Sequence, residues 1–512
     1  MKIFCTASSD AYITDKIIDE KLRAEDANVG RAGTLDLFKL YDENKLNGVS
    51  GQNEISRLLV KFDLSKARDL MTSKLDINNG NFSAKIKLFD VRSGHATPSD
   101  FNVIAHPLSR SFTEGVGRDI SKFEDLSVVN FLTSSIVNGR PQAWYVSGAN
   151  YEGLLGSDDI DIIGSGSLTS DPNDVQYLYG TQHFITGDED LEIDVTPAIS
   201  GTLAGKIEDH GFRISFSGSD ETDLKSRFVK RFASRHSSNP LLQPRLEISF
   251  PDYVVDDREN FYFDTNSTIF LTNSRKSTLS NFISGGSEVS GENSLKLKLV
   301  KGGFTKIIDV SSHKEGTDKT NKKGVYSASF TVSSEDTTEY IRGDTIAKLV
   351  AREKEITFDE YWYSSDGSKG FYTGSLTIKS DDVNSTSVND NIDVFSVNCK
   401  TNYDKKDQER IHVFGINHTE DSEKARKKPI KKKSVVFDKI YYRVLDANSL
   451  DIIFDFGEKD ESTRLSTDPD GMYFDFHFDI LPYGRSYMFE FLVVHKNIRK
   501  IVRDKRSRFT VQ

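Results

Sequence analysis

The run NEISRLLVKFDLSKA, Asn53 to Ala67, carries Arg57 at the head of a strongly apolar stretch, with Lys61 and Asp63 set into it. A guanidinium at the mouth of a buried strand presents a planar fork that can grip a carboxylate or loop carbonyls through parallel hydrogen bonds. Arg235, in KRFASRHSSNP, offers the same chemistry later in the chain. Both arginines are read as structural clamps in preference to ligand contacts. On this reading Leu58, Val60 and Phe62 are buried, and Arg57 stays at the edge of its sheet.

The other candidate groups lead to no reaction. The acidic clusters GSDDIDIIGSG (Gly156 to Gly166) and TGDEDLEID (Thr186 to Asp194) bring oxygens together, but neither has the spacing of an EF-hand loop. They are read as solvated turn acids. The ten histidines are scattered. Neither His95 and His106 nor His412 and His418 form an i, i+4 pair with a glutamate, as a zinc hydrolase would. No G-x-S-x-G nucleophile turn occurs, and the glycine-rich SGGSEVSG has no P-loop lysine after it. The expectation is no enzyme, no metal and no cofactor.

Two basic segments stand out against a net charge of −11. KARKKPIKKK, which contains Lys427 and Lys428, reads as a solvated loop, with an acidic protein partner as the second reading. It has no interleaved aromatics to stack on bases, so nucleic acid is not expected as a partner. The terminal HKNIRKIVRDKRSRFTVQ carries Arg503, Lys505 and Arg506. It is expected to pack on acidic surface, either the 156–194 clusters of a neighbouring copy or another protein. The competing reading is a sheet edge guarded by charge.

These groups must be positioned by β structure. Phe (34), Tyr (19) and Gly (35) are abundant, and short alternating runs recur between turn residues. AKIKLFDV, LEIDV, FRISFSG and RLEISF are such runs in the first half. SLKLKLV, VYSASFTV, YFDFHFDI and MFEFLVV follow in the second. One helix or helical turn lying on a sandwich is expected over Ile120–Ser135. GVYSASF, GFYTGSL and GMYFDFH share a Gly–apolar–Tyr opening, in which the glycine makes a turn and the tyrosine packs on a sheet edge. Composition breaks near 250 and in IKSDDVNSTSVNDN divide the chain into 1–250, 251–385 and 386–512. Cys5 and Cys399 rule out a disulfide framework and a thiolate zinc site. MKIFCTASSDAYITD lacks the apolar core of a secretory signal, and no apolar run is long enough to span a bilayer, so no membrane contact is expected.

In order, SDAYITD, SRLLVKFDLS, AKIKLFDV, SFTEGVGRD, AWYVSGANYEG, LEIDVTPAISG, GFRISFSG and KRFASRHSSNPLLQPRLEISF resemble the DNRLRE family, whose jelly-roll sandwiches are similar to carbohydrate-binding modules. The resemblance covers about half of the chain. It departs from the family at His236, where an acidic residue usually follows the late arginine, and in long insertions between the early strands. The remainder, from PDYVVDDRENFYF onward, resembles the immunoglobulin-like appendages of tailed-bacteriophage virion proteins. Together these imply an all-β chain, with an N-terminal jelly-roll β-sandwich (1–250) followed by two immunoglobulin-like β-sandwich modules (251–385 and 386–512). They imply a non-enzymatic virion component of a neck, tail, baseplate or fibre attachment. It would be made in the host cytoplasm and joined to other virion proteins, as a homo-oligomer in the particle. The alternative is a carbohydrate-binding or glycan-active protein that takes a host glycan on the jelly roll. Exposed Trp and Tyr would mark that alternative, and Trp144 and Trp362 are the only tryptophans.

Overall fold

The computed structural model describes Met1 to Gln512 apart from residues 73, 92–96, 255, 260, 276–277, 316–319, 354, 381–391, 418–433, 469, 496–497 and 505. The chain divides into two compact units. One is Lys2–Asp69 with Asp76–Phe250, and the other is Pro251–Gln512 with Met1 and Leu70–Leu75. Of the polar stretch read as a second linker, residues 381–391 lie outside the described residues. The fold is all-β. Each of the eight alternating runs named above forms a strand or the body of one, among them Ser83–Leu88, Leu191–Asp194, Phe212–Phe216 and Arg245–Ser249.

In the first unit the strand Lys2–Thr14 serves two sheets. Lys2–Thr6 pair with Arg245–Ser249. After an irregularity between Ala7 and Ser9 the strand continues against Asn53–Phe62. A bulge that lets one strand change sheets is how a sandwich turns a corner. One layer continues from Arg245–Ser249 to Ser83–Leu88 and Leu191–Asp194. The other continues from Asn53–Phe62 to Phe212–Phe216, Phe101–Pro107 and Gly180–Phe184. Thr34–Tyr41 pairs with the start of Asn53–Phe62 and with Arg227–Ala233.

Asn53–Phe62 does not alternate between core and solvent. Leu58, Val60 and Phe62 are buried on one face, as expected. On the other face, Leu59 joins Ala11, Ile13, Val129, Phe131 and Trp144 in a second apolar cluster, supplied largely by the 108–162 segment. Arg57 lies on that covered face and is only 3% exposed, which corrects the expected position at a sheet edge. Of the helix or helical turn expected over Ile120–Ser135, no helix forms. The segment is a series of turns, and the strand Thr133–Val137 begins inside it. Phe123 and Asp125 take positive φ (50° and 56°), which no α-helix accommodates. Asn130 holds the turn through its side-chain oxygen, which accepts from the N–H groups of Leu132 and Thr133.

In the second unit, residues 267–379 form a six-stranded antiparallel sheet. Its order is Ser267–Thr272, Thr320–Phe330, Phe304–Glu315, Leu295–Lys301, Glu355–Ser364, Gly370–Lys379. GVYSASF and GFYTGSL are thus strands of one sheet, but their tyrosines differ. Tyr326 is fully buried, and its hydroxyl donates to the Val289 carbonyl, while Tyr372 is exposed. Residues 392–511 form a sandwich whose two sheets carry Gly471–His477 and Ser486–His495. Its core is aromatic. Tyr442 stacks on Phe474 at 4.2 Å, and Phe476 meets Phe489 edge-on at 5.3 Å. Such pairs add about 0.5–1.5 kcal/mol each beyond area burial. Among the described residues no helix is long and apolar enough to cross a membrane.

Candidate functional site

Arg57 closes two elements onto its strand. Nε and Nη2 each donate to one oxygen of Glu221 at 2.9 Å, and Nη1 donates to the Gly148 carbonyl at 2.6 Å. Glu221 stands in the short helical turn Ser219–Thr222 after the strand Phe212–Phe216. Gly148 stands in the loop that covers the sheet, with φ of 80°. A Cβ there would lie 2.7 Å from both Arg57 Nη1 and the Phe131 ring, so the close approach requires glycine. Burial works against a charged Glu221. The hydrogen bonds and charge of Arg57, with Arg213 and Lys39 beyond, hold its carboxyl below the usual range all the same. Arg213 is pushed down to about 9, first by burial and then by the Arg57 charge.

Arg235 makes a second fork. Nε and Nη2 donate to the two oxygens of Glu114 at 2.6 and 2.7 Å. Glu114 Oε1 also accepts the Asp10 N–H at 2.9 Å, and the Arg235 N–H donates to Asp10 Oδ2 at 2.6 Å. His236 Nε2 lies 3.4 Å from Glu114 Oε1 without the alignment of a hydrogen bond. Asp10 comes from the first strand, opposite Val60 in the ladder, and is 1% exposed. Glu114 is in the loop after Phe101–Pro107, and Arg235 and His236 follow Arg227–Ala233. Sequence reading singled out Arg235 and His236 but not their partners. Asp10 and Glu114 are 104 residues apart, and no local spacing joins them.

The acidic clusters organise loops. Asp161, fully buried, accepts the N–H groups of Tyr145, Val146 and Tyr151 at 2.7–3.1 Å. Glu189 accepts those of Ile185, Thr186 and Gly187. Asp158 and Asp159 are exposed turn residues.

Two of the C-terminal basic residues, Arg499 and Arg503, meet acids of their own module. Glu490, 2% exposed, receives Arg443 on Oε2 and Arg503 on Oε1. Arg499 forks onto Glu458 at 2.5 and 2.6 Å, and the Arg506 guanidinium sits 4.7 Å from the Phe395 ring centre. An acidic partner for Arg503 would therefore compete with Glu490. Lys505, Lys427, Lys428, His95 and His418 lie outside the described residues. Arg503→Glu would set a carboxylate against Glu490 and should lower the stability of this module by about 2–4 kcal/mol, whereas Arg506→Glu should cost under about 1 kcal/mol. Urea melts followed by hydrogen exchange in Ser486–His495 measure both, and equal effects would contradict the assignment.

Trp144 and Trp362 are 4% and 0% exposed, so neither presents a ring to solvent. Exposed tyrosines do occur in the first unit. Tyr145 and Tyr151 have ring centres 5.0 Å apart, and Tyr177, 70% exposed, lies 5.2 Å from Tyr179.

No family model matches the chain, and no curated protein matches it. Among solved structures it is similar, at 9% identity and a TM-score of 0.14, to a putative membrane-anchored protein from Corynebacterium diphtheriae, over 100% of this chain and 97% of that one. The three N-terminal domains of the bacteriophage RB49 outer capsid protein Hoc match at 10% identity and a TM-score of 0.11, over 49% of this chain and 66% of that one. Trypsin-activated alpha-2-macroglobulin from Escherichia coli matches at 7% identity and 0.15, over 94% and 29%. None superposes closely enough for its role to be carried over.

Proposed function

We propose that this chain is a non-enzymatic structural component of a tailed-bacteriophage virion, acting at a neck, tail, baseplate or fibre attachment through protein–protein interfaces. The observation that carries the reading is how its charged side chains are used. Arg57, Arg235, Asp161 and Glu490 each tie distant backbone or side chains into a sandwich, so they stiffen modules and leave the module surfaces for contacts. The phage assignment itself rests on the resemblance of the second half to virion appendages. Partners on this reading are other virion proteins and further copies of the chain, with no nucleic acid, membrane or cofactor required. Mass spectrometry of purified particles should find the chain at a fixed copy number. Its absence from particles, with abundance only in infected-cell lysate, would remove the proposal.

The exposed Tyr145, Tyr151 and Tyr177 favour a second reading, carbohydrate binding by the jelly roll, because sugar faces stack on such rings. A glycan array separates the two readings. Binding abolished by Tyr177→Ala supports the second, and a blank array eliminates it.

A further inference from the structure

The Arg235 clamp leaves two polar atoms unaccounted for. Asp10 Oδ1 and His236 Nε2 are both buried and have no hydrogen-bond partner. A carboxylate oxygen held from water without a donor is unfavourable, the more so when it is charged. Their residues meet in one cluster with Glu114. One ligand atom each from Asp10, Glu114 and His236 falls within 4.8 Å of the others, and His236 Nε2 is 3.4 Å from Glu114 Oε1. Tetrahedral donors at bond lengths of about 2.0–2.1 Å stand roughly 3.3 Å apart, so that separation is the one a bound zinc-like ion sets.

We propose that Asp10, Glu114 and His236 form a binding site for a single borderline divalent cation of the zinc class. The charge balance fits. Two carboxylates against Arg235 leave one negative charge, and Arg235 can stay on Glu114 Oε2 through Nη2 while the ion takes the place of its Nε on Oε1. His236 also borders an open depression with Arg31 and Arg118, from which water could reach a bound ion. Imidazole among the donors favours zinc or cobalt over calcium or magnesium, which prefer all-oxygen sites. The site would pin the loops carrying Glu114 and His236 to the first strand. It goes beyond the proposed virion role and does not depend on it.

The test uses the full chain after chelator treatment. Cobalt(II) titration should give visible d–d absorption saturating at one equivalent assigned to this site, with zinc displacing it and raising the thermal midpoint. His236→Ala, a partly exposed position, should weaken this binding by at least about 10–100-fold, a loss that even outer-shell changes produce. Asp10→Asn should do the same while keeping the acceptor for the Arg235 N–H. Melts without metal show whether each variant is folded. No binding up to about millimolar metal, the weak end for protein cation sites, would overturn the proposal. So would zinc or cobalt binding undiminished in folded His236→Ala, or calcium binding indifferent to it.

Discussion

Arg57→Ala is expected to destabilise the first unit by about 3–5 kcal/mol, the range for removing one partner of a buried ion pair. The magnitude follows from what is left behind. Glu221 loses both of its guanidinium donors, and the Gly148 carbonyl, which holds the covering loop, loses the only donor that Arg57 gave it. Arg213 cannot substitute, because its own Nη2 donates to Ser215 and its Nη1 to the Ala149 carbonyl. Arg57→Lys keeps the charge and loses the fork, and should forfeit about 1–3 kcal/mol, the share of charge-assisted bidentate bonding. Arg57→Met with Glu221→Leu removes both charges and should recover most of the loss, since apolar replacements of buried pairs are often neutral or better. Urea denaturation followed by hydrogen exchange of Asn53–Phe62 reports the unit separately from the rest of the chain. A single-variant loss below about 1 kcal/mol would place the pair in the surface class and refute the clamp.

The strands could be read from the sequence because a half-buried strand writes its face into every second residue, as SLKLKLV and RLEISF do. Asn53–Phe62 shows where this signal stops. Ile55 and Leu59 are as apolar as Leu58 and Val60 because both faces are covered, so the pattern gives a buried strand but not the position of Arg57. Ile120–Ser135 failed for a local reason, since apolar spacing alone does not report positive φ at Phe123 and Asp125. The tyrosines of the three Gly–apolar–Tyr openings have different surroundings for the same reason. Their sequence fixes a strand start but not what lies above it.

The sites were half legible. Arginine forks announce themselves by residue type, and Arg57 and Arg235 were visible as such. Their carboxylates are 164 and 121 residues away and are chosen by sheet topology. Nothing in SFTEGVGRD distinguishes Glu114 from a surface acid, and Asp10 looks like an ordinary turn residue in SDAYITD until Lys2–Thr14 is seen to change sheets beside it.

His106 makes the first unit acid-sensitive in a way that can be isolated. It is 3% exposed, and burial, with the Arg213 charge beside it, lowers it from 6.5 to about 3. Glu152 Oε2 lies 3.8 Å from Nε2 but is more than half exposed, so solvent screens its pull. The Arg213 Nη2 faces Nδ1 at 3.5 Å, and Tyr179 covers the ring. The folded pKa is depressed, so the unfolded chain binds the extra proton. The stability from neutral His106 is full above pH 6.5 and is lost as pH falls toward 3, at about 1.4 kcal/mol per unit and up to about 4–5 kcal/mol in all. Asp10 and Asp15, raised by burial to about 7 and 6, act in the opposite sense. Their protonated forms favour the folded state as pH falls to about 4, so the total curve is flattened. His106→Gln separates the contributions, because the variant keeps both carboxyls and has nothing to titrate at 106. Denaturant midpoints from pH 7.5 to 4 should show wild type losing ground to His106→Gln by about 1.4 kcal/mol per unit below 6.5. A constant difference across that range would mean that His106 protonates in place, with Glu152 as its partner.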